Sequence, residues 1–180
     1  RPPRSTLFPY TTLFRSALIH FLALCPYGVE KYSYYFNHFP VLSLNLGIME
    51  TTEKVVELIL LIRSENEINL KLLVNEVETL ASLFGLSVTP SDEYYGWSYD
   101  PDSQLRKSYK EAYKKAYDKE LKEVPTHGGL ETGYMSRIFP DMDIVTMGPN
   151  CIDIHTPQER LEIKTLYEVH DFLKNWLGEL

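Results

Sequence analysis

Residues 41–89, VLSLNLGIMETTEKVVELILLIRSENEINLKLLVNEVETLASLFGLSVT, decide the fold class. From Val41 to Met49 the residues alternate. Val41, Ser43, Asn45 and Gly47 fall on one side, and Leu42, Leu44, Leu46 and Ile48 on the other, the period of a strand with one buried face. Lys54 to Arg63 is nearly continuous in apolar residues (Val55, Val56, Leu58 to Ile62), which predicts a more deeply buried strand. The polar link Glu50-Thr-Thr-Glu53 between them has hairpin length. From Glu65 to Phe84 the apolar residues Ile68, Leu72, Leu73, Val77, Leu80, Ala81 and Phe84 recur mostly at helical spacing, and Gly85 supplies a stop. Leu86 to Thr89 reads as another strand. Strand, strand, helix, strand predicts a small α+β layer in which the helix covers one face of an antiparallel sheet.

Downstream, composition shifts at Pro90 to Pro101, where Pro, Gly and Asp alternate with Tyr94, Tyr95, Trp97 and Tyr99; this reads as an inter-domain hinge. A helix is expected next, with Asp100 as N-cap, Pro101 in its first turn, and Leu105, Tyr109, Ala112, Tyr113 and Ala116 as its buried stripe. Its Lys, Glu and Asp residues read as a solvated face. Glu123–Val124 is expected to be a short strand, Gly133–Ile138 a short helix, and Asp143–Met147 a short strand ending at Gly148-Pro149. Thr165-Leu-Tyr-Glu168 has the capping-box pattern and opens a last helix with Leu166, Val169, Phe172, Leu173 and Trp176 along one face. This alternation points to part of a larger α/β sheet.

Residues 1–16, RPPRSTLFPYTTLFRS, resemble a sequencing-library adapter translated in one frame, and they are set apart from the fold. Arg1, Arg4 and Arg15 ahead of Ala17–Cys25 imitate a secretory signal; without those arginines the basic region disappears, and the apolar stretch is too short to span a bilayer. No targeting segment and no membrane span are expected. Leaving these three arginines out of the 18 basic residues leaves 15 against 25 acidic ones, a net charge of −10 for residues 17–180. Such an acidic chain opposes nonspecific binding to nucleic acid or anionic lipid. Cys25 and Cys151 are too few for a disulfide framework, lie in no metal-ligand spacing, and suit a reducing cytoplasm.

Apart from Arg63, the residues with chemistry to offer cluster between positions 127 and 163. His155 lies in Asp153-Ile-His-Thr-Pro157, a loop expected after a strand and before the last helix, and neutral imidazole is a common zinc ligand. A lone loop histidine is more often simply solvated, and spacing alone does not separate the two. Gly128-Gly129 permits positive φ and close backbone approach, so that free N–H groups can hold a carboxylate; an ordinary turn is the plainer alternative. Glu131 and His127 can orient a substrate, or bond to each other or to backbone. Arg63, at a strand end, can fork onto a carboxylate or pair with one of the many acidic side chains. The chain has no HExxH, no G-x-S-x-G, no phosphate loop, no His-x-Asp and no adjacent Glu-Glu pair. The carboxylates and second histidine of a dinuclear hydrolytic centre are therefore not among these residues.

Taken in order, the motifs LALCPYGVEKYS (22–33), SLNLG (43–47), LIRS (61–64), YYGWSYDPDS (94–103), HGGLETG (127–133), FPDMDIVTMGP (139–149) and IHTPQERLEI (154–163) resemble the bacterial aminoacyl-histidine dipeptidases, carnosinase-like dizinc exopeptidases. The likeness covers residues 17–180. It implies the later part of an α+β lid and dimerisation domain (17–95), followed by the C-terminal portion of an α/β zinc-exopeptidase catalytic domain (96–180), both incomplete. Residue by residue, His155 matches the family's C-terminal zinc-ligand histidine, Arg63 an arginine that recognises substrate from the lid, and Gly129 a glycine of the substrate-binding loop. Glu131 falls in that same loop. Gly128, Thr132, Thr156 and Gln158 depart from the usual Ala, Cys, Ser and Asp, and none of these is a matched functional position. The resemblance further implies two zinc ions per complete subunit, dipeptide substrates such as Xaa-His, a homodimer, and a cytoplasmic protein. The glutamate that would deprotonate the zinc-bound water is not in this chain, so no catalytic residue is assigned and residues 17–180 alone are expected to be inactive. Two other readings stand beside it: a noncatalytic lid or dimerisation module, and a related zinc aminopeptidase or amidohydrolase.

Overall fold

The computed structural model describes residues 12–91 and 95–179. In chain order the elements are α1 (Thr12–Leu24), β1 (Gly28–Tyr32), β2 (Pro40–Thr51), β3 (Val56–Ser64), α2 (Glu67–Leu83), α3 (Gln104–Tyr117), α4 (Glu131–Ile138), β4 (Cys151–Ile152), β5 (Arg160–Leu161) and α5 (Ile163–Leu177). This is a mixed α/β chain. It divides into two compact units: the residues up to Tyr99 together with Pro125–Arg137, and Asp100–Val124 together with the residues from Ile138 onward. Tyr94 of the expected hinge, and most of the adapter-like stretch, lie outside the described residues. Among the described residues no helix is long and apolar enough to cross a membrane.

In the first unit, β1, β2 and β3 form an antiparallel sheet in that order. The alternation of β2 sends Leu42 and Leu44 to the face that also carries Leu58, Leu60 and Ile62 of β3. Phe21 of α1 and Leu73, Val77 and Ala81 of α2 close this core. Helix α2 starts at Asn66, whose side chain accepts the Asn69 N–H at 2.9 Å. It ends where Gly85 turns to φ +70° and the Leu86 N–H bonds back to the Ala81 carbonyl at 2.9 Å. That closure accounts for one correction. Leu86–Thr89 is not a strand, because Leu86 uses its donor at the helix end and packs into the core instead. The sheet's third member is β1, a strand that the sequence pattern did not reveal.

Two further expectations change in β2 and β3. The ladder passes from Leu46↔Leu60 directly to Ile48↔Ile59, leaving Gly47 as an extra residue. This bulge switches Ile48 to the outer face, away from Leu42, Leu44 and Leu46. Strand β3 is also not buried on both sides. Its residues alternate, and Ile59 and Leu61 on the outer face are 46% and 49% exposed.

The second unit is built on α3 and α5. Tyr109, Phe172 and Trp176 form its core, with Leu105, Ala112, Tyr113, Leu121, Val145, Met147 and Leu173 packed around them. The rings meet edge to face, Tyr109 with Phe172 and with Trp176, each at 5.1 Å between centroids. Helix α3 begins later than the sequence suggests. Ser103, not Asp100, is its N-cap, and the Asp143 carboxylate completes the cap by accepting from Ser103 Oγ at 2.6 Å and from the Leu105 N–H at 2.8 Å. Desolvation acts upward on Asp143, but the hydrogen bonds from Ser103, Leu105 and Gln104, with the Arg106 charge, outweigh it and hold the carboxyl below its ordinary range. Asp100 instead caps the preceding turn, accepting the Asp102 N–H at 2.8 Å.

Glu123–Val124 and Asp143–Met147 run without strand partners among the described residues. A strand exists only where a neighbour takes up its ladder, and Val145 and Met147 spend their apolar side chains under the helices instead. The paired strands here are β4 and β5, a two-residue antiparallel ladder, so the expected βαβ alternation is not seen. Helix α5 starts at Ile163, which places Thr165 inside the first turn. Its hydroxyl accepts the Asn150 N–H and donates to the Glu162 carbonyl, so no capping box forms.

Candidate functional site

The outer face of the first unit's sheet carries the arginine that the sequence singled out. Ser43 and Arg63 are directly opposed in the β2–β3 ladder, on the side away from the Leu42–Leu44 core. The segment from Pro125 to Leu130 returns to this face. His127 sets its Nε2 2.7 Å from Ser43 Oγ, and its carbonyl accepts from Arg63 Nη1 at 3.3 Å. Phe39 meets the imidazole edge to face at 6.2 Å. Burial first, and the Arg63 guanidinium second, hold the His127 pKa below its ordinary value, so the ring is neutral at neutral pH. Arg63 is exposed and makes no ion pair among the described residues, so its remaining donors are available to a ligand.

The glycine loop follows at once. Gly128 donates to Thr126 Oγ1 at 3.2 Å, while the Gly129 N–H has no partner among the described residues. Neither glycine takes a positive φ, and a Cβ on Gly128 would meet only Thr126 Oγ1, at 3.4 Å. Glu131 is the first residue of α4 and is exposed; its charge suits the N-terminal end of a helix. His127 bonds to Ser43, and the alternative pairing with Glu131 is not the one formed.

Helix α4 is held by close backbone contact. A Cβ on Gly133 would land on the Tyr95 carbonyl, and one on Gly96 would land on the Ser64 and Glu65 backbone. Around this contact the Tyr95 and Tyr134 rings meet edge to face at 5.0 Å, and the Arg137 guanidinium lies 4.1 Å over the Tyr95 ring. Ser98 Oγ donates to the Glu65 carbonyl at 3.2 Å. The end of β3, the 95–98 segment and α4 are thereby joined, and they place the loop that precedes α4. Neither Ser43 nor the Gly96–Gly133 contact was singled out from sequence. Both carry only a faint local signal, a hydroxyl on a polar strand face and glycines in irregular stretches.

His155 lies in the second unit, on the loop between β4 and β5. The loop is wound on itself. The Thr156 N–H and Oγ1 both donate to the Asp153 carbonyl, Glu159 accepts the His155 N–H at 3.1 Å, and Arg160 pairs with Asp153 at 2.8 Å. Asp153 and His155 take the left-handed region, φ +55° and +65°. For non-glycine residues that conformation costs about 1–2 kcal/mol each. The web of loop bonds holds it and presents an exposed imidazole. As a metal site the loop is incomplete: Asp153 is committed to Arg160 and Glu159 to backbone. Among the described residues no three His, Cys, Asp or Glu side chains gather where they could hold an ion. A zinc ion does not fit these residues alone, and His155 offers one donor.

Residues 22–179 match the family model described as peptidase family M20/M25/M40. The chain belongs to that family. Among M20/M25/M40 relatives, it is 29% identical over 166 residues to the cytosol non-specific dipeptidase of Escherichia coli (strain K12), covering 92% of this chain and 34% of that protein. Its structure superposes on the crystal structure of an aminoacylhistidine dipeptidase from Vibrio alginolyticus with a TM-score of 0.85 and 28% identity, covering 94% of this chain and 35% of that one. The chain thus spans about a third of the length of the M20 dipeptidases it matches. It is a partial M20/M25/M40 domain.

Proposed function

We propose that the chain is the C-terminal part of a cytoplasmic zinc dipeptidase that hydrolyses dipeptides, Xaa-His among them. In this reading residues 17–95 belong to a lid and 96–180 to the catalytic domain. Arg63 and the Gly129 N–H receive the substrate's carboxylate, Glu131 borders that loop, and His155 gives one donor to a zinc ion whose other ligands lie outside this chain. The carrying observation is the junction of Arg63 with the His127–Gly129 loop, residues more than sixty apart in sequence that meet through the 3.3 Å hydrogen bond to the His127 carbonyl. A guanidinium with no ion pair, beside a backbone N–H with no partner among the described residues, suits the binding of a carboxylate.

The test is a chimera of the Escherichia coli dipeptidase in which residues 22–179 replace the corresponding third. The chimera is expected to cleave alanyl-histidine, whereas residues 17–180 alone are not. In the chimera, His155→Ala should lower both zinc content and kcat/KM, the latter by about 100-fold. Arg63→Ala should reduce kcat/KM by about 10- to 100-fold, mainly through KM. Cleavage by residues 17–180 alone, or an undiminished His155→Ala chimera, would overturn the reading.

Association through the lid-like half is supported by an outward apolar row on α2, where Ile68, Leu72 and Leu83 are exposed, the last two beside Asn75, Glu76 and Thr79 in a shallow groove. Size exclusion with light scattering on residues 17–180 is expected to show a dimer that Leu72→Glu converts to monomer. A strictly monomeric, folded chain contradicts it.

A further inference from the structure

We propose that His127 is a positioning residue that locks the glycine loop and Arg63 into one unit by docking on Ser43. Three independent contacts meet on it. Its Nε2 is 2.7 Å from Ser43 Oγ, its carbonyl accepts from Arg63 Nη1 at 3.3 Å, and its ring stands edge-on to Phe39 at 6.2 Å. Ser43 and Arg63 are themselves cross-strand partners. One residue therefore closes a ring that runs from Ser43 across the ladder to Arg63, back through the His127 backbone, and down its side chain to Ser43. The closure sets where Gly128 and Gly129 begin relative to the guanidinium. It reaches beyond the proposed roles of Arg63 and Gly129 and rests on them only for its consequence, the alignment of two donors on one carboxylate.

The lock responds to pH. The groups that face the imidazole are the Ser43 hydroxyl from β2, the Arg63 guanidinium from β3 and the uncharged Phe39 ring. Protonation would place a second positive charge, half-buried, beside Arg63. Because docking depresses the imidazole pKa, the docked state binds fewer protons than the released one. Docking is therefore complete above the ordinary value of 6.5 and weakens as pH falls from there toward the depressed value.

Nuclear magnetic resonance on the full chain tests this without any substrate. Between pH 7.5 and 5, the Gly128 and Gly129 amides and the Arg63 Nε–Hε signal should move together with the titration of the His127 ring. Ser43→Ala and His127→Phe should each speed hydrogen exchange at the Gly128 amide about tenfold, with the β2–β3 amides unchanged as a fold control. His127→Gln, whose side-chain amide can reach the same hydroxyl, should restore the protection and lose the pH dependence. A purely packing role would give neither the shared titration nor the rescue. Loop and Arg63 signals that stay still while His127 titrates would overturn the proposal in the unaltered chain, as would pH-dependent movement persisting in His127→Gln. These readings use no dipeptide and no zinc, so an inactive chimera would leave the lock standing and a failed lock would leave the chimera result standing.

Discussion

Trp176→Ala should destabilise the second unit by about 3–5 kcal/mol, the range for truncating a buried aromatic side chain. Trp176 is 5% exposed, and it meets Tyr109 edge to face at 5.1 Å and stacks with Phe172 at 6.3 Å. Its Nε1 also donates to Ser108 Oγ at 3.0 Å, which ties α5 to α3 by a polar contact inside an apolar one. With a core of three buried aromatics, this unit has little else to compensate. The chain has two tryptophans, and Trp97 lies in the first unit. Urea unfolding followed by circular dichroism should show the second unit's transition shifted or abolished, while Trp97 fluorescence reports the first unit unchanged. A loss under 1 kcal/mol would mean that the α3–α5 pair is not held by this cluster.

Leu44→Ala is the matching experiment on the first unit, with an expected loss of about 3–4 kcal/mol. Leu44 is 1% exposed at the centre of β2, the middle strand of the sheet, and it belongs to the cluster of Phe21, Leu42, Leu73, Val77 and Ala81. The side chain lies where β2, β3 and α2 converge, so the cavity has walls from several elements that cannot all collapse inward. Ser43, its neighbour on the opposite face, holds His127. Loosening β2 should therefore reach the glycine loop as well, as a weaker form of the release expected from Ser43→Ala. Urea unfolding followed by circular dichroism measures the loss, and a midpoint within experimental error of the parent would refute the placement of the core.

The elements legible in the sequence were those whose reasons are local. The alternation of Val41–Met49 and the 3.6-residue recurrence of Leu73, Val77 and Ala81 each describe a single segment facing a single core, so the hairpin and α2 follow from pattern alone. The stripes of α3 and α5 were legible for the same reason, and Tyr109, Phe172 and Trp176 are their buried members. Strands without strong alternation were not legible. Gly28–Tyr32 pairs because β2 offers it an edge, and Asp143–Met147 finds no strand partner among the described residues although it is the more apolar run. The start of α3 slipped by a few residues because its cap is completed at long range. Asp143 caps α3 from forty residues away, which no local signature encodes.

The candidate site divides in the same way. Arg63, Gly129, Glu131 and His155 were named from sequence through motifs that match a family, and membership in M20/M25/M40 follows from a match over residues 22–179. The sequence by itself thus determined the family and the hairpin and helix of the first unit, and it named the candidate side chains, because residue type and spacing are written along the chain. Only the tertiary structure decided what those side chains touch. It put Ser43 under His127, turned Ile48 outward through the bulge at Gly47, and left the Asp153–Arg160 loop to hold His155 alone. Hydrogen-bond partners and ladder register are pairings between distant residues, settled by which close-packed arrangement satisfies the most groups at once, and no single segment contains that information.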